Sequence, residues 1–247
     1  MVPRLLIRGV TAGAVILGAE AVYAVLRPYP RMAEFDPSGV FGDPASPPLR
    51  VAVLGDSSVT APGVDGPNEI WVSLVSSRIA ETHHVTLRSV AVSGSRAEDL
   101  LREQLQPTLE FAPDLVIVSV GANDVIKGVG LKIFERNLDR LVAALTGTGA
   151  LVVLSGVGDI GTIPRLKPPL RNMMTRRSAR FDRVHHLVAA RHGAHVVEHR
   201  EDDPTIWYSD RALWSPDLFH VSAAGHRRWA DSTWDVVAPL LGQHGPV

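Results

Sequence analysis

Cysteine is absent from this 247-residue chain, which excludes disulfides, thiolate metal sites, cysteine nucleophiles and a lipid-modified N-terminal cysteine. An excess of charge is absent too. The 25 basic and 26 acidic residues leave a formal net charge of -1, so no broad cationic surface exists for a nucleic-acid backbone. The sequence has no internal repeat and no low-complexity tract, and no dinucleotide-binding glycine fingerprint follows its first strand-like run. What is present is a 45% hydrophobic chain, enough to bury one sizeable core without needing a second.

Residues 1–31 differ from the rest. Arg4 and Arg8 precede an apolar stretch from Gly9 to Leu26 broken only by Glu20, which is the pattern of an export signal or membrane anchor. Val22-Tyr23-Ala24 suits signal cleavage, whereas a run of about 18 residues is marginal for a span. Glu20 sits badly in a bilayer, so a buried or amphipathic helix is the competing reading. Secretion and an uncleaved anchor at the cell envelope both stay open, and membrane association is expected only through this segment. Residues 32–48, rich in Pro, Gly and Asp, read as a linker, and residues 49–244 as one folded domain.

Beyond the linker, short β-branched runs alternate with longer amphipathic stretches. That alternation predicts an α/β fold, a parallel sheet covered by helices on both faces. Five strands are expected: Val51 to Leu54, Val85 to Ala91, Leu115 to Val120, Leu151 to Leu154, and His195 to Val197. Helical spacing links Trp71, Leu74, Val75 and Ile79, and then Leu131, Phe134, Leu138, Leu141, Val142 and Leu145. Two further helices carry Phe181, Val184, Leu187 and Val188, and then Trp229, Thr233, Val236, Val237 and Leu240, with Pro239 weakening the last turn.

Ligands of open parallel sheets bind outside the carboxyl ends of the strands. Three polar, glycine-bearing segments fall there: Gly55-Asp56-Ser57-Ser58, Ser93-Gly94 and Gly121-Ala122-Asn123-Asp124. A fourth, Asp217-Leu218-Phe219-His220, precedes the C-terminal helix. Together they hold the parts that acyl transfer needs. Ser57 on a tight turn is the candidate nucleophile, with Gly55 expected to supply a backbone conformation that residues with a Cβ resist. His220 is the candidate base, oriented by Asp217 three residues before it. The backbone N–H groups of Ser57 and Gly94 and the side-chain amide of Asn123 are the candidate oxyanion donors.

In motif and order these segments resemble the SGNH (GDSL-type) hydrolases, named for Ser, Gly, Asn and His in four separate blocks. Ser58 stands where the commoner first block has leucine, and Gly225-His226 continues the last block recognisably. Arg96-Ala97-Glu98 departs from the small and hydroxyl residues often seen after the second-block glycine. The resemblance spans about Arg50 to Leu241 and implies a flavodoxin-like three-layer α/β/α sandwich with a five-stranded parallel sheet in the order 2-1-3-4-5. It also implies serine-dependent hydrolysis of an acyl ester or an acylated sugar or lipid, with no metal and no organic cofactor. Acyl transfer to a sugar or glycerol-type hydroxyl is the alternative, and a non-catalytic envelope binding module on the same fold is the second.

Other residues carry competing readings. His185, His186, His192 and His195 look like a metal cluster, but a solvated helix face is favoured. Arg171, Arg176, Arg177 and Arg180 could meet an anionic acceptor, but a charged solvated surface is favoured. Asp124 either orients Asn123 or caps the next segment. Trp207, Tyr208 and Trp214 line a pocket or serve as packing. The proline-bearing stretch from Gly156 to Thr175 is a candidate lid or substrate loop.

Overall fold

The computed structural model describes residues 30–200 and 205–243, together with Gly18. Its parallel strands are β2 (Pro48–Gly55), β3 (His84–Ser89), β4 (Leu115–Ser119), β5 (Leu151–Ser155) and β6 (His195–Val197), and a short strand β1 (Gly39–Phe41) precedes them. The spatial order is β1-β3-β2-β4-β5-β6, with β1 antiparallel to β3. The expected order 2-1-3-4-5 therefore describes only the parallel part of a mixed six-stranded sheet. β1 lies inside the expected linker and has a local cause. Asp36 accepts hydrogen bonds from both the backbone N–H and the hydroxyl of Ser38, whose Oγ in turn accepts from Ser89 N at the end of β3. Phe35 and Phe41 then pack against the core.

The principal helices are α1 (Ser57–Thr60), α2 (Trp71–Ile79), α3 (Leu105–Phe111), α4 (Ala122–Ile126), α5 (Leu131–Thr146), α6 (Leu170–His192), α7 (Thr205–Ser209) and α8 (Ala223–Gln243). Side chains of a strand alternate between faces, and here that alternation makes two cores. Val51, Val53, Leu115, Ile117 and Val153 pack with Trp71, Val75 and Ile79 of α2 and Ala230 and Val237 of α8. Leu54, Val116, Val118, Val152 and Leu154 pack with Phe134, Leu138 and Leu141 of α5 and Phe181 and Val188 of α6. Each such side chain contributes about 1.5–3 kcal/mol of burial free energy, offset by the entropy of ordering the chain.

Three details depart from the sequence expectation. Leu187 faces solvent at 54% exposure rather than joining its helix's apolar stripe. Pro239 sits inside α8, which continues to Gln243. A helical segment at Ala97–Asp99 runs through a π-turn at Leu100–Gln104 into α3, where no helix was expected. The export or anchor segment lies outside the described residues, save for Gly18, Pro30 and Arg31. No helix among the described residues is long and apolar enough to cross a membrane.

Four parallel strands end in register, with Gly55 beside Ser119, Ser119 beside Ser155, and Ser155 beside Val197. The segments that follow them therefore emerge along one edge.

Candidate active site

The turn after β2 is built around Asp56. One of its carboxylate oxygens accepts from Ser58 N at 2.9 Å, capping α1, and the other accepts from Asn123 Nδ2 at 2.9 Å. The side chain is only 2% exposed, and burial pushes its carboxyl above the ordinary range against the pull of hydrogen bonds from the Ser58 backbone and hydroxyl and from Asn123. Gly55 is extended, not in a special backbone region. Its requirement is steric, because a Cβ there would lie 2.8 Å from Val59 and 2.9 Å from Ser119 O. Past the end of β3, the buried amide of Gln104 completes the Gly55 backbone. Gly55 N donates to Oε1 at 2.8 Å, and Nε2 donates to Gly55 O at 2.9 Å.

Both other loops are tied to this turn. Ser93 and Thr60 share a hydroxyl hydrogen bond of 2.7 Å, which fixes the Gly94 loop against α1. Gly94 has φ +78°, a left-handed conformation that favours glycine, and its carbonyl accepts from Lys127 Nζ at 2.7 Å. Asn123 lies in the first turn of α4 and meets the Ser57 turn through Asp56. Asp124 makes no side-chain bond to Asn123 or to the segment that follows it. It accepts from Ala97 N at 3.1 Å across the fold, and burial pushes its carboxyl up to about 6.

The Asp217 loop is the most densely bonded part of the site. Asp217 Oδ1 accepts from Ser215 Oγ at 2.6 Å, Phe219 N at 2.8 Å and His220 N at 2.9 Å, while Oδ2 takes His220 Nδ1 at 2.6 Å. Burial pushes this carboxyl up, but the hydrogen bonds from His220 and Ser215 outweigh it and hold it well below the usual range. A carboxylate only accepts, so Nδ1 of the neutral His220 ring carries the hydrogen and Nε2 keeps a lone pair. Arg165 also grips this loop. Its Nε donates to Asp217 O at 2.7 Å, an Nη lies 3.6 Å from Asp217 Oδ2, and its guanidinium sits 5.1 Å over the Phe219 ring.

Ser57 and His220 open into one cleft, whose walls include Val157, Ile160, Ile163, Trp207, Trp214 and Trp229. Ser57 Oγ makes no hydrogen bond among the described residues, and its approach to His220 is through the shared cleft. Gly94 and Asn123 are not among the residues that line the cleft, and Asn123 reaches its edge through the hydrogen bond to Asp56. His226 lines the cleft as well. Burial, and then the neighbouring His220, push its ring down to about 3, so it is neutral, with Nδ1 accepting from Trp71 N at 3.4 Å.

The remaining sequence readings divide. His185 is fully buried and not on a solvated face. Its ring, pushed down to about 4 by burial, lies 3.1 Å from Val120 O and 3.0 Å from Phe181 O, bracing the strand that leads to Gly121. His186 and His192 pair with Glu198 and Asp139, and among the described residues no group of His, Asp and Glu is arranged to hold a metal. Arg176 and Arg180 are exposed. Arg177 instead donates to Val125 O and Val129 O at the end of α4, and Arg171 stacks over Tyr208. Trp207 and Trp214 line the cleft, whereas Tyr208 does not. The Gly156 to Thr175 stretch contributes Val157, Ile160, Thr162 and Ile163 to the cleft wall. Gln104 and Arg165 were not anticipated. Their only sequence signal is a polar side chain within an otherwise apolar or proline-bearing segment.

A three-layer α/β/α sandwich with this cleft at the carboxyl edge of its sheet defines an ester-hydrolysing enzyme of the SGNH class. The chain belongs to the GDSL-like lipase/acylhydrolase family, whose model matches residues 53–228. It is 26% identical over 190 residues to Esterase TesA of Pseudomonas aeruginosa, covering 76% of this chain and 88% of that protein. A GDSL-like esterase of Mycobacterium tuberculosis is 25% identical over 187 residues, which are 74% of this chain and 60% of that protein. The crystal structure of TesA superposes with a TM-score of 0.64 at 26% identity, covering 78% of this chain and 99% of that one. A lipase/acylhydrolase from Enterococcus faecalis shares the fold, with a TM-score of 0.60 at 22% identity over 81% of this chain and 98% of that one.

Proposed function

We propose that this enzyme hydrolyses carboxylic acyl esters through an acyl-enzyme on Ser57. The observation that carries the reading is the Asp217–His220 pair, 2.6 Å apart, opening into the same cleft as Ser57. His220 Nε2 takes the hydroxyl proton as Ser57 Oγ forms a bond to the ester carbonyl carbon, and the carbonyl electron pair moves onto oxygen. The N–H groups of Ser57 and Gly94 and the amide of Asn123 donate to that oxyanion. As it collapses, the C–O bond to the alcohol breaks and His220 returns the proton to the leaving oxygen. Water then repeats the sequence and frees the acid. Asp217 stays ionised throughout and stabilises the imidazolium. Arg4 and Arg8 ahead of the apolar stretch support action at the cell envelope, after export or from an anchor.

Asn123 Nδ2 spends one hydrogen on the Asp56 carboxylate and keeps the second for the oxyanion in this reading. Asn123→Ala should therefore lower kcat on a simple ester about 100-fold or more, with KM changed far less. Equal kcat in the variant excludes that role.

The reading as a whole is tested with a fluorophosphonate and an ester panel. The probe should add one phosphonyl group to folded wild-type protein, at Ser57 by peptide mass. Absence of labelling favours a binding module without chemistry. Running the esters with and without glycerol and a sugar, with products read by mass, separates the two acyl fates. Free acid should dominate, and an acylated acceptor forming faster than acid makes the enzyme an acyltransferase.

A further inference from the structure

The floor of the cleft carries a polar row that the mechanism above leaves unused. Ser58 Oγ and Ser119 Oγ lie 2.7 Å apart, and Ser155 Oγ lies 2.8 Å from His199 Nε2. All four residues line the cleft. Ser119 and Ser155 are Cα partners on the adjacent parallel strands β4 and β5, so their side chains leave the same face of the sheet about 4.8 Å apart. Both are buried in a cleft whose lining is mostly apolar, with Asp159, Thr162 and Arg200 also in it.

Counting hydrogens shows what this row can still do. Two hydroxyls joined by one bond hold two hydrogens and spend one. The Ser58 hydroxyl also turns to the Asp56 carboxylate, which spends the other, so Ser119 donates to Ser58 Oγ and keeps an acceptor lone pair. Ser155 Oγ keeps an acceptor lone pair whichever way its bond to His199 runs. A plain alkyl chain laid along the row would strip water from both acceptors and replace neither bond. One hydroxyl seated between Ser119 and Ser155 donates to these acceptors. The strand spacing suits a single bridging oxygen at ordinary bond lengths of about 2.8 Å.

Resting on the ester-hydrolase reading, we propose that the Ser58–Ser119 and Ser155–His199 pairs form a subsite for a hydroxyl on the acyl chain, making hydroxyacyl esters the preferred substrates. The acyl side is assigned because the alcohol leaves toward His220, while the acyl chain stays bonded to Ser57, next in the chain to Ser58.

The test compares wild type, Ser119→Ala and Ser155→Ala on methyl esters of a straight-chain alkanoic acid and of its 2- and 3-hydroxy counterparts, with acid release followed by titration and folding by thermal melt. Wild type should favour at least one hydroxyacyl ester about tenfold in kcat/KM, and each variant should lose most of that ratio. A Ser58→Ala/Ser119→Ala double variant serves where Ser119→Ala does not fold. No preference in wild type, or a ratio that the variants leave within about twofold, overturns the subsite. So does an equal loss on plain and hydroxylated esters, the mark of a structural role. The 2-hydroxyethyl ester of the plain acid is run beside them, and sensitivity that appears only with it overturns the acyl assignment. Absence of turnover by wild type on every ester, plain or hydroxylated, sinks the ester-hydrolase reading itself.

Discussion

Ser57→Ala is expected to lower kcat on a simple acyl ester by about 10⁴-fold to 10⁶-fold, with the fold intact. The loss is large because Ser57 Oγ is the only atom asked to bond to the acyl carbon; without it, the oxyanion donors and cleft can assist only water. The fold should survive because Asp56, not Ser57, caps α1 and holds Asn123. The Ser57 hydroxyl makes no bond among the described residues, so the change in stability should stay within about 0.5 kcal/mol. A thermal melt alongside the rate measurement separates the two effects. Rates within tenfold of wild type would mean that another group supplies the nucleophile.

Asp217→Asn should cost about 10⁴-fold in kcat, through the hydrogen on His220. Four donors converge on the Asp217 carboxylate. An amide has one accepting oxygen, and three of those donors already share Oδ1, so the amide nitrogen is left facing His220 Nδ1. That ring nitrogen must then accept, the hydrogen moves to Nε2, and the lone pair aimed at Ser57 is lost. Activity within tenfold of wild type in a folded variant removes Asp217 from the mechanism. The same residue shapes stability. Its carboxyl is depressed in the folded state, so its contribution is complete above the ordinary Asp value of about 3.9. It is lost as pH falls below that value toward the depressed one. Urea melts at pH 7 and pH 3 should show a smaller acid-side loss in Asp217→Asn than in wild type.

The parallel strands were legible because strands buried on both faces need continuous β-branched runs, and Val51 to Leu54, Leu115 to Val120 and Leu151 to Leu154 are such runs. β1 was not legible. Gly39–Phe41 carries three residues of pattern in a proline- and glycine-rich stretch, and it is a strand because β3 offers an edge and Ser38 secures it. The helical segment from Ala97 to Phe111 was hidden by its π-turn, which shifts the apolar stripe out of the 3.6-residue period. Of the candidate site, Ser57, Gly94, Asn123, Asp217 and His220 could be picked out because each sits in a short block of distinctive letters. Their supports could not. Gln104 meets Gly55 across 49 positions, and Arg165 meets Asp217 across 52. No local pattern encodes a contact of that span. The reading of Gly55 failed the other way. Its motif was visible, but the close approach of Val59 and Ser119 that requires a glycine was not.

Arg165 belongs to the stretch that walls the cleft, yet its guanidinium grips the loop that carries His220. Substrate choice and the aim of the proton acceptor are thereby inherited together. Libraries that randomise residues 156–175 to admit new esters should yield mostly inactive members, with the survivors concentrated among those that keep arginine at 165. Evolution toward other acyl groups would then run more freely through wall positions supplied by other segments, such as Val120 and Trp207, where shape can drift without disturbing the machinery.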